Sequence, residues 1–534
     1  MELVATRAFA IVRGEVALAA FLGALSATLI VTLAPPGGDS AAHLYRSLLV
    51  NEGVHLWDNF WFGGHYPLAS YSALYYFLAG PIGNVPLVVA GVVVAAALFA
   101  SLALDEWGDG ARWPARAFAV FVAGPLYTGT YSYALGLAAV LASLRLLQLG
   151  RPWLALGAGA LALGFSPLAF VFLCLALAAV LATRRTRLRR AVPIAVGLAG
   201  LAAIQLAIVW TFPSEGRYPF SRLSLAAVLA VCALGAALAW RSERTRVLGA
   251  FFVLWGSVSL LGFIFPSPFG DNLTRLRALV FPLVLLAAVL VRFRPRLLAF
   301  AALAFALFYN LHPDLSALPK RAADAATANE SFWAPALQFL ASHSNPNYRV
   351  EVVPTFGHWE AWWVPRAGFP LARGWYRQID LAENPELYHQ PLSPRAYRSW
   401  LRRMSVRYVL VPHARLGPMG AAREAELLRS RRAGLISVFE TRHWQIFELP
   451  SPAPLLTGPG AARITRLGHE SVAGSAERAG VYRLRIRYTP YWRAESGSVC
   501  VVRAADGMTT LHVARAGRFE LRASLTPRSG CPRQ

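Results

Sequence analysis

The fold is decided by VALAAFLGALSATLIVTLA (Val16–Ala34) and, two prolines later, by GGDSAAHLYRSLLVNEGVHLWDNFWFGGHYP (Gly37–Pro67). The first segment is almost entirely apolar and long enough to cross a bilayer. The second opens with Asp39, and a charged residue at the membrane surface is costly unless it has a role. A polar helix, predicted over Ser40–Val54, and an aromatic run suited to the bilayer interface follow. The pattern indicates a site that faces lipid headgroups rather than a pore.

The whole chain has the composition of a membrane protein. It has 534 residues, of which 56% are hydrophobic, and its mean hydropathy is +0.44. The apolar runs are confined to roughly the first 312 residues, so we predict a membrane half and a polar half. The first span is too long for a secretory signal and lacks a small-residue cleavage pattern, so we expect it to be retained.

The net charge of +24 does not indicate nucleic-acid binding. The basic residues are almost all arginine and gather at the ends of spans, which the positive-inside rule explains, and no nucleic-acid motif accompanies them. The sequence also lacks a Walker loop, a G-x-S-x-G elbow, an H-E-x-x-H pair and a Cys-x-x-Cys pair. Soluble nucleotide chemistry and zinc chemistry therefore have no support.

Apolar runs predict about eleven membrane spans. The Trp153–Ala182 run is long for one helix and is interrupted at Ser166-Pro167, so we expect it to be kinked or split. The spans are Val16–Ala34, Pro67–Ile82, Val85–Leu104, Pro114–Leu126, Tyr131–Leu149, Trp153–Ala182, Ala191–Trp210, Leu223–Trp240, Val247–Phe265, Ala278–Val291 and Leu297–Tyr309.

Three arginine clusters predict the orientation of these spans. They are TRRTRLRR (Thr183–Arg190), RSERTR (Arg241–Arg246) and RFRPR (Arg292–Arg296). If all three are cytoplasmic, Thr211–Arg222, Pro266–Arg277 and the region after Asn310 lie outside. Arg7 and Arg13 place the N-terminus inside. An inside start and an outside finish require an odd number of spans, which eleven satisfies. The loop Gly37–Pro67 then lies outside as well, on the side of the C-terminal region.

The polar half predicts two extracytoplasmic domains. We predict a transmembrane domain over residues 1–312 with an outside loop at 35–67, an α/β domain over 313–455 and a small β-sandwich-like domain over 456–534. The fold class is thus a mainly α polytopic membrane protein with a C-terminal α/β plus β-sandwich region. Alternating or apolar runs give the strand candidates Tyr348–Val353, Val406–Val411, Leu435–Glu440, His443–Leu449, Val481–Tyr488 and Phe519–Ala523.

The four cysteines are too widely spaced for a metal cluster. Cys174 and Cys232 fall in apolar spans, where a small buried residue is the simpler interpretation. Cys500 and Cys531 lie in the terminal region and could pair if that region is extracytoplasmic.

Asp39 is the first candidate for chemistry. It could act as a general base on an acceptor hydroxyl or hold a divalent cation at the membrane surface. It could equally cap the helix that begins at Ser40, because aspartate is a preferred capping residue. His43 shares its helical face and could orient the carboxylate or bind phosphate, or it could be a structural histidine. Asp58, His55 and His65 are further candidates in the same loop.

The second cluster of candidates is PSPFGDNLTRLR (Pro266–Arg277), in a predicted outside loop. Arg275 and Arg277 would suit a lipid-linked phosphate, because guanidinium groups make paired hydrogen bonds to phosphate oxygens. They could instead be interfacial arginines that snorkel to the headgroups, with Asp271 paired to one of them. The loop Thr211–Arg222 adds Glu215 and Arg217 on the same side.

A tryptophan-rich set in the polar half has two interpretations. Its members could stack on sugar rings or could belong to the core of the soluble region or its membrane-facing side, and we favour the core. They are Trp359, Trp362, Trp363, Trp375 and Tyr376.

Several motifs together resemble the GT-C glycosyltransferase superfamily, in particular the YfhO-like and pyruvoyl-tetrahydropterin-synthase-related bacterial membrane proteins. They are GGD-x-x-x-H (Gly37–His43), W-D-x-x-W-F-G-G-x-Y-P (Trp57–Pro67) and SALYYFLAG (Ser72–Gly80). The terminal segment VYRLRIRYTPYWRAESG (Val481–Gly497), with LHVARAGRFELRASL after it, resembles the C-terminal β-region of the YfhO-like group. GDNLTR and VRYVLVP are weaker matches.

This resemblance implies a polytopic enzyme that uses a polyprenyl-phosphate-linked sugar on the outer face, with Asp39 at the position of the catalytic acidic residue. The leading hypothesis is a glycosyltransferase acting on an envelope glycan or glycolipid in the bacterial plasma membrane, with Arg275 as phosphate partner. The alternatives are a transporter or flippase for lipid-linked intermediates and a non-catalytic envelope-assembly scaffold. The spans contain few ionisable residues, which favours the enzyme over the transporter. No cofactor is certain, although a divalent cation could take part.

Overall fold

The computed structural model describes residues 2–69, 71–184, 188–213, 216–292, 294–388 and 391–526. The chain forms two compact units. Unit 1 consists of Met1–Gly37, Ser70–Pro213 and Arg217–Pro319. Unit 2 consists of Gly38–Ala69, Ser214–Gly216 and Lys320–Gln534.

Unit 1 is helical, whereas unit 2 combines helices and sheets. The α-helices are α1 (Glu2–Leu33), α2 (Ser40–Asn51), α3 (Tyr75–Ile82), α4 (Asn84–Trp107), α5 (Arg112–Phe121), α6 (Gly124–Thr128), α7 (Tyr131–Gln148), α8 (Pro152–Phe165), α9 (Pro167–Thr183), α10 (Leu188–Thr211), α11 (Arg222–Ala239), α12 (Arg246–Ile264), α13 (Arg277–Val291), α14 (Arg296–Ala322), α15 (Glu330–His343), α16 (Glu360–Arg366), α17 (Arg377–Glu383), α18 (Pro394–Arg403) and α19 (Ala421–Arg429).

The helices α5 and α6 run parallel to α1, so the chain turns back after α4. Glu15, near the middle of α1, pairs with Arg116 of α5, at 2.6 Å between Oε1 and Nη2. Gly37, just beyond α1, lies against Gly129, just beyond α6. Along both helical runs the second contact follows the first, so the two runs point the same way. The long apolar run Asn84–Thr128 therefore crosses the unit twice.

The predicted span Pro67–Ile82 is wrong. Its only helix in the described residues is α3, and eight residues at 1.5 Å each cover about 12 Å of a hydrocarbon core about 30 Å thick. The predicted Trp153–Ala182 run is divided, as expected, into α8 and α9 at Ser166-Pro167. The prediction therefore counted one span too many at Pro67–Ile82 and one too few at Trp153–Ala182, so the total number of predicted spans does not change. The described residues contain eight helical runs that could span a membrane, one of which crosses twice, and two shorter apolar helices, which allows eleven crossings.

The described parts of the three arginine clusters lie at one end of unit 1. Arg184 pairs with Glu106 at the end of α4. The indole of Trp107 donates to the carbonyl oxygen of Arg244 at 2.9 Å. The last turn of α13, before the third cluster, lies beside Gly110. This end is called the arginine-rich end below. That it faces the cytoplasm remains a prediction from the positive-inside rule.

The first loop is part of unit 2. Its residues Tyr45 and Trp61 are fully buried in one core cluster with Trp333, Leu410 and Ile446 of the C-terminal region. Because burial of large apolar side chains is the main stabilising contribution to folding, the loop and the C-terminal region fold as one body. The predicted aromatic set belongs to the same cluster, since two of its members are buried in it and three are partly buried against it.

The strands of unit 2 form three four-stranded sheets. In spatial order these are β1-β2-β4-β3, β10-β11-β8-β5 and β6-β7-β12-β9. Among the strand pairs of the described residues, β1–β2 alone is parallel. The strands are β1 (Arg349–Val352), β2 (Val406–Pro412), β3 (Ile436–Glu440), β4 (Trp444–Glu448), β5 (Leu456–Thr457), β6 (Ala462–Leu467), β7 (Ser471–Ala476), β8 (Gly480–Arg487), β9 (Trp492–Ser496), β10 (Val499–Arg503), β11 (Met508–Val513) and β12 (Gly517–Ala523).

Side-chain burial alternates along the last two sheets, for example in β7 and β8, as in sheets that bury one face. The predicted fold class, a mainly helical polytopic membrane protein with a C-terminal region containing β-sheets, is confirmed. The predicted domain boundaries at residues 312 and 455 stay predictions. Cys531 lies outside the described residues, so its pairing with Cys500 also stays a prediction.

Candidate functional site

Asp39 lies at the start of α2 and is partly exposed. It occupies the N-cap position, yet its side chain accepts no capping hydrogen bond from the described residues of the helix. Its Oδ1 instead accepts a hydrogen bond from Nε1 of Trp375 at 2.9 Å. The carboxylate is therefore held in place by a distant indole, and the helix does not use it as a cap.

The indole that holds Asp39 is itself held by a histidine and a glutamate. The ring of Trp375 stacks on His358, with 3.3 Å between ring centroids and 12° between planes. His358 Nδ1 lies 3.0 Å from Glu360 Oε1. The other oxygen of Glu360 accepts hydrogen bonds from the backbone N–H and the hydroxyl of Thr355. A buried chain of contacts thus runs from Thr355 to the partly exposed carboxylate of Asp39.

His43 and Arg46 lie on the buried side of α2. Each is only 1% exposed. Arg46 donates a hydrogen bond to the hydroxyl of Tyr376 and lies over its ring, 3.9 Å from the centroid. The face of α2 that carries His43 therefore packs into the core of unit 2. Of the two catalytic candidates, Asp39 is more accessible than His43. Sequence analysis did not identify Trp375, His358 or Tyr376 as partners of this helix, because they lie far from it in the chain.

Asp58 is completely buried and pairs with a histidine that the sequence did not identify. His469 Nδ1 lies 2.8 Å from Asp58 Oδ1, and the hydroxyl of Tyr45 donates to Oδ2 at 3.0 Å. Burial alone would raise the pKa of Asp58, but the hydrogen bond and the charge of His469 hold it below the ordinary value. Burial alone would lower the pKa of His469, but the hydrogen bond and the charge of Asp58 raise the pKa of that imidazole above its ordinary value. Asp58 joins two parts of unit 2 and is not open to a substrate.

His65 is buried beside the same carboxylate. Its Nδ1 lies 3.7 Å from Asp58 Oδ2, and its ring stacks on Trp61. Burial lowers the pKa of His65 to about 4, because the opposing effect of the Asp58 charge is smaller. The ring is therefore neutral at pH 7. Neither ring nitrogen has a hydrogen-bond partner among the described residues. A neutral, buried ring does not provide a cation for a substrate phosphate.

A second set of contacts fastens the same loop. Glu470 Oε1 accepts hydrogen bonds from three successive backbone N–H groups, His55 to Trp57, at 2.8 to 3.3 Å. Asn59 donates to the carbonyl oxygens of Gly468 and Ser471. The turn between β6 and β7 therefore holds the loop through backbone groups as well as through His469.

In unit 1, the two predicted outside loops lie together. Tyr218 donates its backbone N–H to Ser267 at 3.0 Å, and Asp271 does so to Pro219 at 3.3 Å. Arg217 is exposed in the first of these loops, and Glu215 lies outside the described residues. The two loops are close neighbours, as expected if both lie on one side of the membrane.

The two arginines predicted to bind phosphate have different surroundings. Arg277 Nη2 lies 3.7 Å from Asp314 Oδ1 of α14. Arg275 is partly buried and interacts electrostatically with Tyr133 of α7. The hydroxyl of Tyr133 is buried and has no hydrogen-bond partner among the described residues. A buried hydroxyl without a partner costs free energy, so the Arg275 region has the capacity to accept one more polar group.

In the part of the chain that the structure describes, no group of three or more His, Cys, Asp or Glu side chains is arranged to hold a metal ion. A divalent cation bound by Asp39 together with donor phosphates would need fewer protein ligands. Its participation stays a prediction.

Comparison with known proteins gives no family assignment. No protein-family model matches this chain, and no curated protein matches it. Among solved structures, the chain is similar to ArnT from Cupriavidus metallidurans, crystallised with undecaprenyl phosphate. The match covers 83% of this chain and 99% of that chain, with 12% sequence identity and a TM-score of 0.36. At this identity and TM-score, the similarity carries no weight for function.

Proposed function

We propose that this protein is an integral membrane glycosyltransferase, a hexosyl- or pentosyltransferase. It transfers a sugar from a polyprenyl-phosphate donor to an envelope glycan or glycolipid on the outer face of the bacterial plasma membrane. The observation that carries the proposal is the carboxylate of Asp39, which is partly exposed and is fixed by Trp375. The sequence resemblance to the GT-C superfamily supports the same assignment.

The chemistry requires a base for the acceptor. When the acceptor hydroxyl attacks the anomeric carbon, a C–O bond forms and the bond from that carbon to the phosphate oxygen breaks. The hydroxyl proton passes to Asp39, and the polyprenyl phosphate leaves as an anion. General-base catalysis needs a carboxylate that is ionised, oriented and accessible. Asp39 is oriented by the indole N–H and is accessible at the start of α2.

Arg275 is proposed, separately, to bind the phosphate of the lipid-linked donor. Its guanidinium is matched to phosphate oxygens, and the orphan hydroxyl of Tyr133 offers a further donor. Arg277, which lies 3.7 Å from Asp314, is the second candidate for this role.

The test uses a deletion strain and the purified full chain. We expect the strain to lose one envelope glycan modification and to accumulate its polyprenyl-phosphate sugar. The purified protein in nanodiscs should transfer labelled sugar from that donor to the acceptor. Unchanged glycans and unchanged donor levels would contradict the proposal. Lost modification, with no transfer by the pure protein from a donor supplied on both faces, would favour the transporter instead.

Two further measurements define the conditions of the reaction. A cysteine introduced at exposed Arg244 should react with a membrane-impermeant thiol reagent only from the cytoplasmic side. A cysteine introduced at exposed Ser498 should react only from the outer side. The opposite labelling would contradict the outer-face assignment. If Asp39 holds a divalent cation, EDTA should abolish sugar transfer, and added Mg²⁺ or Mn²⁺ should restore it. Full activity in EDTA would mean that Asp39 acts only as a base.

A further inference from the structure

Two adjoining cavities in unit 1 meet at the arginine-rich end and are assigned no part in the proposed reaction. The larger has a volume of about 250 Å³, is lined by α4, α5, α7, α9, α12 and α13, and extends as far as Leu276 at the other end of α13. The smaller has a volume of about 210 Å³. Arg184 and Val247 line both cavities, so the two share one boundary. Large apolar side chains dominate the wall of the larger cavity, among them Phe99, Leu102, Leu141, Phe172, Val180 and Phe251.

The larger cavity is long enough for one hydrocarbon chain. Along α7 its lining residues extend from Leu137 to Gln148, and along α9 from Phe172 to Arg184. At 1.5 Å per residue these distances are about 16 and 18 Å. The hydrocarbon core of a bilayer is about 30 Å thick, so the cavity has the depth of one leaflet. An apolar cavity of about 150 Å³ already holds benzene, and this one is larger.

The smaller cavity is polar. It is lined by the Thr183 hydroxyl and by the side chains of Arg184 and Arg246, together with Glu243. Arg184 pairs with Glu106, and Arg246 lies 3.5 Å from Glu243. The side chain of Arg246 is 50% exposed, so its guanidinium can reach a headgroup at the surface.

The described residues near the smaller cavity carry a net positive charge. Arg184, Arg241, Arg244 and Arg246 outnumber Glu106 and Glu243 by four to two. Basic pockets at the ends of membrane helices attract anionic lipid headgroups. The sign of the local charge therefore matches a phosphate group and not a neutral one.

We propose that this end of unit 1 binds one anionic phospholipid of the surrounding leaflet, with an acyl chain in the larger cavity and its phosphate at Arg184 and Arg246. The lipid would pack against these six helices and would fasten them together. The proposal does not depend on glycosyl transfer, and the proposed phosphate site lies at the arginine-rich end, whereas Arg275 and Arg277 lie at the other end of α13.

The test compares three additions to the delipidated full chain in detergent. Phosphatidylglycerol should bind with one molecule per chain by native mass spectrometry and should raise the unfolding temperature. Phosphatidylcholine should do neither, and inorganic phosphate should do neither because it lacks the chain. Equal effects of the two lipids would overturn the charge part of the proposal, and a full effect of inorganic phosphate would overturn the acyl-chain part.

Matched variants locate the lipid. Ala176→Trp should fill the larger cavity and lower retained phosphatidylglycerol about tenfold, whereas Ala178→Trp, two residues along α9 and outside the lining, should retain it. Arg246→Gln should weaken binding about fivefold, and Arg244→Gln, an exposed neighbour outside the lining, should weaken it less. If Ala176→Trp and Arg246→Gln retain as much lipid as their controls, the proposal is wrong. Unfolding temperatures measured without lipid check that each variant is folded.

Discussion

The indole N–H of Trp375 donates a hydrogen bond to the carboxylate of Asp39 at 2.9 Å, between residues separated by 336 positions in the chain. Asp39 belongs to the loop after the first span, and Trp375 belongs to the C-terminal region. The orientation of the proposed base therefore depends on the folding of unit 2 as one body, which brings these two parts of the chain together.

Trp375→Phe should slow glycosyl transfer without unfolding the protein. A phenyl ring retains an aromatic surface for the stack on His358 but loses the N–H that orients Asp39. A hydrogen bond to a charged group contributes about 1.5–3 kcal/mol, so we expect kcat to fall about tenfold or more with little change in KM. Trp362→Phe, a partly buried aromatic in the same core cluster, is the control. Equal kinetics for the two variants would show that Trp375 does not position the base.

The Asp58–His469 pair should make stability depend on pH. Because the folded pKa of His469 is raised above about 6.5, its contribution is complete below that pH and disappears as the pH rises through the folded value. The lowered pKa of Asp58 adds a contribution that is present above about pH 4 and is lost in stronger acid. The difference in unfolding temperature between the wild type and His469→Gln should thus be largest near pH 5.5 and should decline toward pH 9. A difference in unfolding temperature that is constant with pH would contradict the pairing.

Asp324 should destabilise the protein at high pH. Burial raises the pKa of this carboxyl group to about 7, and its Oδ2 accepts a hydrogen bond from the backbone of Gly357. The folded state therefore holds a proton that the unfolded state releases between about pH 4 and 7, and stability falls across that window. Asp324→Asn should raise the unfolding temperature relative to wild type more at pH 8 than at pH 5. A difference in unfolding temperature that is the same at pH 5 and at pH 8 would contradict the burial effect.

Gly64→Ala should disrupt the turn that closes the first loop. Gly64 has a φ of +130°, and a Cβ atom there would collide with the ring of Trp57. Strain and collision together should lower the free energy of unfolding by about 3 kcal/mol. Gly53→Ala is the matched control, because Gly53 also has a positive φ, +76°, but has no heavy atom within 4 Å of the added carbon. It should cost only about 1 kcal/mol. Denaturant unfolding of both variants measures the difference, and equal losses would mean that the loop is not packed as described.

Local patterns allowed much of the fold to be predicted. The strand predicted over Val406–Val411 is β2, Val406–Pro412, because an apolar run with flanking turns is encoded within a few residues. The span predicted over Pro67–Ile82 was wrong, because hydropathy measures apolar content and does not show that only the last eight residues are helical. Patterning therefore identifies apolar segments better than it identifies crossings.

The partners of the candidate residues could not be predicted in this way. The sequence indicated Asp39 and Asp58 from their place after the first span. Nothing in the spacing of the chain links Asp58 to His469, 411 residues later, or Asp39 to Trp375. Such contacts depend on the packing of unit 2 and have no periodicity. Asp58 therefore remained a substrate-binding candidate in the sequence, although its burial makes it structural.

The most direct test of the catalytic proposal is the activity of Asp39→Asn. Asparagine has nearly the same size and retains an oxygen for the Trp375 hydrogen bond, but it cannot accept the proton. Loss of a general base typically lowers the rate about a hundred- to ten-thousand-fold. We predict a protein of normal abundance and normal unfolding temperature that fails to restore the envelope glycan of a deletion strain, while exposed Asp109→Asn restores it. A normally abundant Asp39→Asn protein that restores the glycan fully would contradict the account.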